Sequence, residues 1–265
     1  MEMEENILEQ ALRRAANDPA ECPEFYRVLL ESKVLVFGSS DGLSGVPQAM
    51  HEGLIINFAH WQKPDGSLFI PFFASLGALQ RAIEIDVDST VNYILLPAKP
   101  FFKMTRGMTL ILNLNSGCRR EFSSYEIDAL LSTGLNRLPA ERPVGNLLLG
   151  QLDSYPSAMV AALTTLLSKH GNVKTAYLAS TIDLSADKKS CILIGIESDE
   201  QSHQAMHEAC AVAADTLPEG GWVDVIRIMR GETSEVSQYL FENVKPFYER
   251  RWGSKLKYVL ASGHA

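Results

Sequence analysis

The sequence has few cysteines, and they form no pattern typical of a metal site or a disulfide framework. None belongs to a CxxC pair, and they are spread along the chain as Cys22, Cys118, Cys191 and Cys210. A small disulfide-stapled domain needs many closely spaced cysteines, and a structural zinc site needs clustered ligands. The spacing therefore predicts four reduced thiols in a cytosolic protein.

Long apolar runs are missing as well. Runs such as residues 192–194 are far shorter than the ~20 apolar residues that a membrane-spanning helix needs. The chain begins with the acidic stretch Met1–Glu5, which is the reverse of the basic start and apolar centre of a signal peptide. We therefore expect a cytoplasmic protein that does not enter a membrane.

The sequence has no surplus of positive charge. It contains 24 Lys and Arg against 32 Asp and Glu, which gives a formal net charge of −8. Proteins that bind nucleic acids draw most of their affinity from basic side chains that neutralise phosphates. The charge balance therefore argues against a nucleic-acid partner, although it leaves room for a local basic patch.

No catalytic or phosphate-binding motif is present. There is no GxSxG elbow, and no pair of acidic residues stands out for acid–base chemistry. The glycine-rich stretch Gly38–Gly45 follows a predicted strand, but it lacks both the GxGxxG spacing and a GK[ST] ending. We interpret residues 38–53 as a surface loop. The sequence thus predicts no catalytic and no cofactor-binding residue.

One candidate metal set rests on helical spacing. His203, His207 and Cys210 would share one face of a predicted helix. The set lacks the glutamate of the HExxH zinc-protease motif, and acidic neighbours indicate a solvated helix surface. We interpret it as two exposed histidines and a buried thiol, and we predict no metal site.

What the sequence does contain indicates two α+β domains. An apolar content of 46% over 265 residues suits a globular chain with more than one hydrophobic core. The prolines and missing periodicity between the two halves predict a linker at 136–148, which separates a domain at 1–135 from one at 149–265. In the second half the predicted order is α-β-β-α-β-α. Each domain is therefore expected to be a mixed or antiparallel sheet with packed helices.

Three local patterns in the first half carry specific expectations. Lys63–Gly66 has the Pro and Gly of a tight turn and predicts a hairpin. Ser123, with Glu126 three positions later, predicts a capping box at the start of a helix. The apolar run Val91–Leu96 predicts a buried strand.

The C-terminal segment combines aromatic and arginine side chains. Residues 245–265 hold five basic side chains and one acid, which gives +4 there and leaves −12 for the rest of the chain. In one interpretation its aromatic residues seal the second domain and its arginines pair with an acidic surface. In a second, the segment is a docking surface, because arginines and aromatics dominate binding hot spots. In a third, which the sequence favours least, the basic tail tethers a nucleic acid or an acidic partner. The candidate interaction residues are Phe247, Tyr248, Glu249, Arg250, Arg251 and Trp252.

Several stretches together resemble one bacterial family. In the first half they are Pro23–Ser32, Asp65-Gly66 before Ile70–Leu76, the region of Asn113, and Glu121–Ile127. In the second half they are Leu193–Glu197, Asp215–Pro218 and Pro246–Gly253. These residues are similar to those of the enhanced serine sensitivity protein B (SseB) family. The resemblance covers nearly the whole chain and implies a two-domain cytoplasmic protein, with no catalytic or cofactor residue to carry over.

These observations favour a non-enzymatic interaction or regulatory protein with a protein partner. The alternative is an enzyme or small-molecule binder connected with amino-acid metabolism, with its site between the domains. The sequence leaves open whether the chain forms a homo-oligomer.

Overall fold

The computed structural model describes residues 6–40, 56–86, 92–135, 147–152, 154–183, 190–198, 203–217 and 221–250. The chain divides into two compact units, an N-terminal unit at 1–138 and a C-terminal unit at 139–265. Each unit has its own mixed sheet with packed helices, so the fold is α+β as predicted. In the described residues, no helix has the length and apolar character needed to cross a bilayer.

The N-terminal unit contains five helices and seven strands within its described residues. The helices are α1 (Ile7–Asn17), α2 (Cys22–Glu31), α3 (Leu76–Asp86), α4 (Ala98–Met104) and α5 (Ser124–Thr133), with a short 3-10 turn at Pro19–Glu21. The strands are β1 (Lys33–Ser40), β2 (Ile56–Phe58), β3 (Trp61–Gln62), β4 (Leu68–Phe73), β5 (Tyr93–Pro97), β6 (Thr109–Leu112) and β7 (Arg120–Phe122).

The sheet of this unit runs in the order β2-β1-β4-β6-β7, with β3 paired to β4 and β5 paired to β1. Strands β4 and β6 are parallel, and the other pairs are antiparallel. Because successive side chains of a strand point to opposite faces, the sheet has two apolar faces. On one face, Leu35, Phe37 and Phe73 pack against α3.

The other face carries a cluster of buried aromatic rings around Phe72. Its ring centre lies 5.5 Å from that of Phe101, 5.8 Å from Phe102 and 6.0 Å from Phe122. These rings come from β4, α4 and β7, so one cluster joins three separate elements. Tilted and edge-on ring pairs at such distances add stability beyond the burial of their area.

The structure confirms the predicted turn and the predicted cap. Gly66 has φ +87°, a value that favours glycine, and the Asp65 carboxylate accepts hydrogen bonds from Ser67. Ser123 accepts from the Glu126 amide while the Glu126 side chain accepts from the Ser123 amide, which completes the capping box.

Two expectations for this unit were wrong. Within the predicted loop at 38–53, Gly38–Ser40 belong to β1, and the rest of that stretch lies outside the described residues. A Cβ at Gly38 would lie 2.5 Å from the Asn57 carbonyl oxygen, so glycine lets β2 approach β1 here. The strand β5 is only partly buried: among the described residues it lies at the sheet edge, where Tyr93 and Leu95 are 48% and 41% exposed, whereas Leu96 is buried.

The C-terminal unit has one mixed sheet and three helices in the part of the chain that is described. Its elements in order are β8 (Leu147–Gly150), α6 (Ser157–Lys169), β9 (Val173–Asp183), β10 (Ser190–Ser198), α7 (His203–Asp215), β11 (Val223–Ile228), α8 (Glu235–Asn243) and β12 (Tyr248–Glu249). The predicted linker at 136–148 lies outside the described residues except for its last two, which belong to β8.

The strand order of this sheet is β11-β10-β9-β12, and β8 also pairs with β9. Strands β10 and β11 are parallel, with α7 between them in sequence, and all other pairs are antiparallel. One face of the sheet packs its Tyr177, Leu193 and Ile228 side chains against Leu240 of α8. The long strand β9 therefore joins β10 on one side to β8 and β12 on the other.

Candidate functional site

The C-terminal segment is seated on the edge of the second sheet. β12 pairs antiparallel with the start of β9, where Tyr248 lies opposite Ala176 and Glu249 opposite Thr175. The Phe247 amide donates to the Ala176 carbonyl at 2.9 Å, and the Arg250 amide donates to the Lys174 carbonyl at 2.8 Å. These bonds continue the sheet by one short strand that the sequence did not predict.

Tyr248 anchors this strand to the body of the unit. Its side chain is only 8% exposed, and its hydroxyl donates to the Leu167 carbonyl of α6 at 3.3 Å. That carbonyl belongs to the last turn of α6, where it also accepts from the His170 amide at 3.1 Å. Tyr248 therefore adds a second hydrogen bond to a carbonyl at the end of α6, and its ring fills part of the core.

Arg250 anchors the strand a second time. Its guanidinium donates to the His170 carbonyl at 3.3 Å and also to the Gly171 carbonyl. Both acceptors follow the end of α6, and a cation is favourable at the C-terminus of a helix. Within the described residues, this arginine thus bonds to backbone carbonyls. Arg251 and Trp252 lie outside the described residues.

Phe247 and Glu249 are the accessible members of the segment. Phe247 is half-buried, and Glu249 is exposed. Because opposed residues of paired strands share a face, Glu249 lies on the same face as Thr175, and Tyr248 lies on the other. The segment therefore has an anchoring side and an accessible side.

A polar cluster, formed by Thr175, Glu197, Arg230 and Phe241, lies on the same face as Glu249. The buried Glu197 carboxylate accepts from the Thr175 hydroxyl at 2.7 Å and from Arg230 Nε at 3.3 Å. The Arg230 guanidinium lies 4.9 Å from the centre of the Phe241 ring. Since both carboxylate oxygens are engaged, Glu197 serves to fix an exposed arginine over an aromatic ring.

The sequence did not reveal this polar cluster. Arg230 and Glu197 are 33 positions apart, so no local spacing relates them. One signal was available: Glu197 continues the alternation of Leu193 and Gly195, which places a charged side chain at the end of an inward-facing row.

The histidines and cysteine of the predicted α7 helix do not converge on a metal site. His203 is exposed, whereas His207 and Cys210 are half-buried. In the described part of the chain, no group of three His, Cys, Asp or Glu residues is arranged to hold a metal ion.

A half-buried histidine–glutamate contact joins the end of α6 to α7. His170 Nε2 lies 2.7 Å from Glu208 Oε2, and the Gln204 side-chain amide donates to the other carboxylate oxygen at 2.8 Å. Burial raises the pKa of Glu208, but the hydrogen bonds from His170 and Gln204, with the attraction of His170 and Lys169, outweigh it. The pKa of Glu208 is therefore lowered from its ordinary value of 4.5.

This lowered pKa predicts a pH dependence of stability. The contribution of Glu208 is complete above the ordinary pKa of 4.5 and is lost as the pH falls through the lower folded-state value. We expect the difference in unfolding free energy between wild type and Glu208→Gln to shrink as the pH falls below about 5. Urea unfolding followed at several pH values measures this difference.

A matched control for that experiment is Glu242→Gln, which changes an exposed carboxylate on α8 of the same unit. The difference in unfolding free energy between wild type and Glu242→Gln should vary less with pH than the difference between wild type and Glu208→Gln. If the unfolding free energy of Glu208→Gln differs from that of the wild type by a constant amount down to the pH at which the wild type unfolds, the role assigned to Glu208 is contradicted.

In the N-terminal unit, the residues of the family-like sequence stretches have structural roles in packing and hydrogen bonding. The rings of Phe72 and Phe122 belong to one aromatic cluster, and the Asn113 side-chain oxygen accepts from the Ala74 amide at 2.9 Å. Ser123 and Glu126 form the capping box. These positions therefore build the first sheet and its helices.

Comparisons with known proteins match both units. Residues 8–129 match the family model described as "SseB protein N-terminal domain", and residues 143–250 match the model described as "SseB protein C-terminal domain". The chain is 36% identical over 255 residues to "Protein SseB" of Escherichia coli (strain K12), covering 95% of each chain. The same figures hold for "Protein SseB" of Shigella flexneri. No solved structure matches the chain.

Proposed function

This chain belongs to the SseB family, and from that premise we propose that it is a non-enzymatic cytoplasmic protein that docks a protein partner through residues 247–252. The observation that carries the proposal is the way this segment is held. Tyr248 and Arg250 fix it to the end of α6, while Glu249 on the opposite face is exposed.

Fixing the segment in advance favours binding. A docking strand that is already ordered loses less conformational entropy when a partner arrives than a free tail does. Arginine and tryptophan are the side chains that most often dominate protein interfaces, and Arg251 and Trp252 follow the anchor directly. The exposed Arg230, which lies over the half-buried ring of Phe241, is on the face that Glu249 shares, so it extends the same surface.

Two carboxylates with both oxygens hydrogen-bonded, the buried Glu197 and the half-buried Glu208, support a non-enzymatic role. Glu197 has both oxygens bonded, to Thr175 and Arg230, and Glu208 has both bonded, to His170 and Gln204. A catalytic acid or base needs a free oxygen within reach of the substrate. These two groups instead hold elements of the fold together.

A photo-crosslinking amino acid placed at position 249 tests the proposal. In bacterial cells, it should give a discrete adduct with a second protein, identified by mass spectrometry. The matched control is position 242, an exposed glutamate on α8 of the same unit, which should not give that adduct. A chain ending at Arg250 keeps β12 and its anchors but removes residues 251–265, which include Arg251 and Trp252, and it should reduce the adduct roughly tenfold or more.

Equal adducts from positions 249 and 242, or an adduct that persists in the chain ending at Arg250, would contradict docking by this segment. The amino-acid-binding alternative predicts a different result. In that case serine would raise the melting temperature in a dose-dependent way, because a ligand that binds only the folded state stabilises it by mass action.

A further inference from the structure

Strand β5 has an unusual edge. Its five residues, Tyr93–Pro97, include no charged side chain, and both Tyr93 and Leu95 are well exposed. Soluble proteins normally guard a free edge with charges, prolines, bulges or a covering element, because such an edge invites another strand, and β5 has one such residue, Pro97, at its end. In the described residues, β5 pairs with β1 on one side, and no strand pairs with its other side.

The hydrogen bonds to β1 show which backbone groups of β5 point outward. The Gly38 amide donates to the Asn92 carbonyl at 3.0 Å, and the Ala98 amide donates to the Ser32 carbonyl at 2.9 Å. Since bonding direction alternates along an antiparallel strand, Asn92, Ile94 and Leu96 bond toward β1. The amide and carbonyl groups of Tyr93 and Leu95 therefore point away from the sheet.

We propose that the outer edge of β5 binds the same edge of a second copy of this chain, antiparallel and around a two-fold axis at Ile94. In this register Tyr93 lies opposite the partner's Leu95, and Leu95 lies opposite the partner's Tyr93. Each pair exchanges two backbone hydrogen bonds, which gives four bonds and satisfies every outward-pointing group of Tyr93 and Leu95. A two-fold contact of this kind is the commonest form of protein dimer.

Proline at position 97 selects this register over the neighbouring one. Centring the axis on Leu95 would place Tyr93 opposite the partner's Pro97, which has no amide hydrogen to donate. The Tyr93 carbonyl would then lack a bond. The Ile94-centred register, in contrast, pairs the outward groups of both Tyr93 and Leu95 completely and keeps equivalent faces of the two sheets on the same side.

The side chains fit the same arrangement. Tyr93 and Leu95 lie on the face that carries Phe37 and Leu35, because these are their opposed residues on β1. A second copy would place an aromatic and an aliphatic side chain against each other twice, which is a favourable cross-strand pair. Tyr93 and Leu95 are thus complementary to each other across the two-fold axis, and this self-complementarity points to a second copy as the partner. This inference concerns the N-terminal unit and does not rest on the proposed docking segment.

Sedimentation of the full chain at concentrations from about 1 to 200 µM tests the proposal, because interfaces of modest size dissociate in this range. We expect a monomer–dimer equilibrium in the wild type. Leu95→Lys should raise the dimer dissociation constant roughly tenfold or more, because an edge charge blocks strand pairing. Tyr125→Lys, at a 53% exposed position on α5, should leave it within about twofold of the wild-type value. A wild type that stays monomeric, or equal effects of both variants, would overturn the proposal.

A disulfide test checks the register. In the proposed dimer, Ile94 faces its own copy in a non-hydrogen-bonded pair with a Cα separation of about 4.5 Å, which suits a disulfide. Ile94→Cys should therefore form a covalent dimer under mild oxidation by oxidised glutathione. Asn92→Cys would be roughly 13 Å from its copy and should crosslink no more than the wild type with its native cysteines. Equal crosslinking of the two variants would overturn the register.

Discussion

Phe72→Ala should lower the unfolding free energy of the N-terminal unit by about 3–5 kcal/mol, the range found for deleting a buried aromatic ring. Phe72 is fully buried and contacts rings from α4 and β7, so its loss opens a cavity that no single element can close. Hydrogen exchange at the amides of β4 and β6 measures the effect separately from the C-terminal unit.

The control for Phe72 comes from the same strand. Leu68 is 52% exposed at the start of β4, and Leu68→Ala should change stability by less than about 0.5 kcal/mol. Phe72→Leu, which leaves a smaller cavity, keeps the experiment informative if the alanine variant does not fold. A loss below about 1 kcal/mol for Phe72→Ala would show that the aromatic cluster can close around the gap.

Tyr248→Ala should release β12 from the second sheet. The substitution removes a buried ring and the hydrogen bond to the end of α6, a loss of about 2–4 kcal/mol. Only the short strand β12 depends on this anchor. We therefore expect the strand to detach while the rest of the C-terminal unit stays folded. The Phe247 and Arg250 amides, which donate to β9, should exchange with solvent roughly 30-fold faster or more.

The matched variant is Tyr248→Phe. It keeps the ring and removes only the hydroxyl, so it should cost about 1 kcal/mol and leave β12 in place. The amides of β10 lie farther from the edge and should keep their protection in both variants. Unchanged exchange at Phe247 and Arg250 in Tyr248→Ala would mean that the Arg250 contacts alone hold the strand.

The parts of the fold that sequence predicted are those set by local rules. The turn at Lys63–Gly66 and the cap formed by Ser123 and Glu126 depend on residues close in the chain, and both were confirmed. The short strands β7 and β12 were missed because two or three residues have no periodicity of their own. Such strands exist only because a neighbouring strand offers hydrogen bonds.

The error at β5 has a different cause. A short apolar run has the same sequence pattern in a central strand and in an edge strand. The position of a strand in the sheet depends on the whole sheet, so the run itself does not reveal it. The sequence therefore could not show that Tyr93 and Leu95 are exposed. The polar cluster around Glu197 was missed for a similar reason, since its members come from two strands, the turn after β11 and a helix.

The way in which β12 returns to β9 has a consequence for synthesis on the ribosome. Tyr248 bonds to Leu167, which precedes it by 81 positions. At ordinary rates of translation these residues are made about 4–16 s apart, whereas a helix forms in microseconds. The end of α6 and the edge of β9 therefore lack the contacts of β12 for several seconds while the rest of the unit is synthesised. During that time the edge of β9 is accessible to a chaperone that binds nascent chains, because Tyr248 has not yet been synthesised.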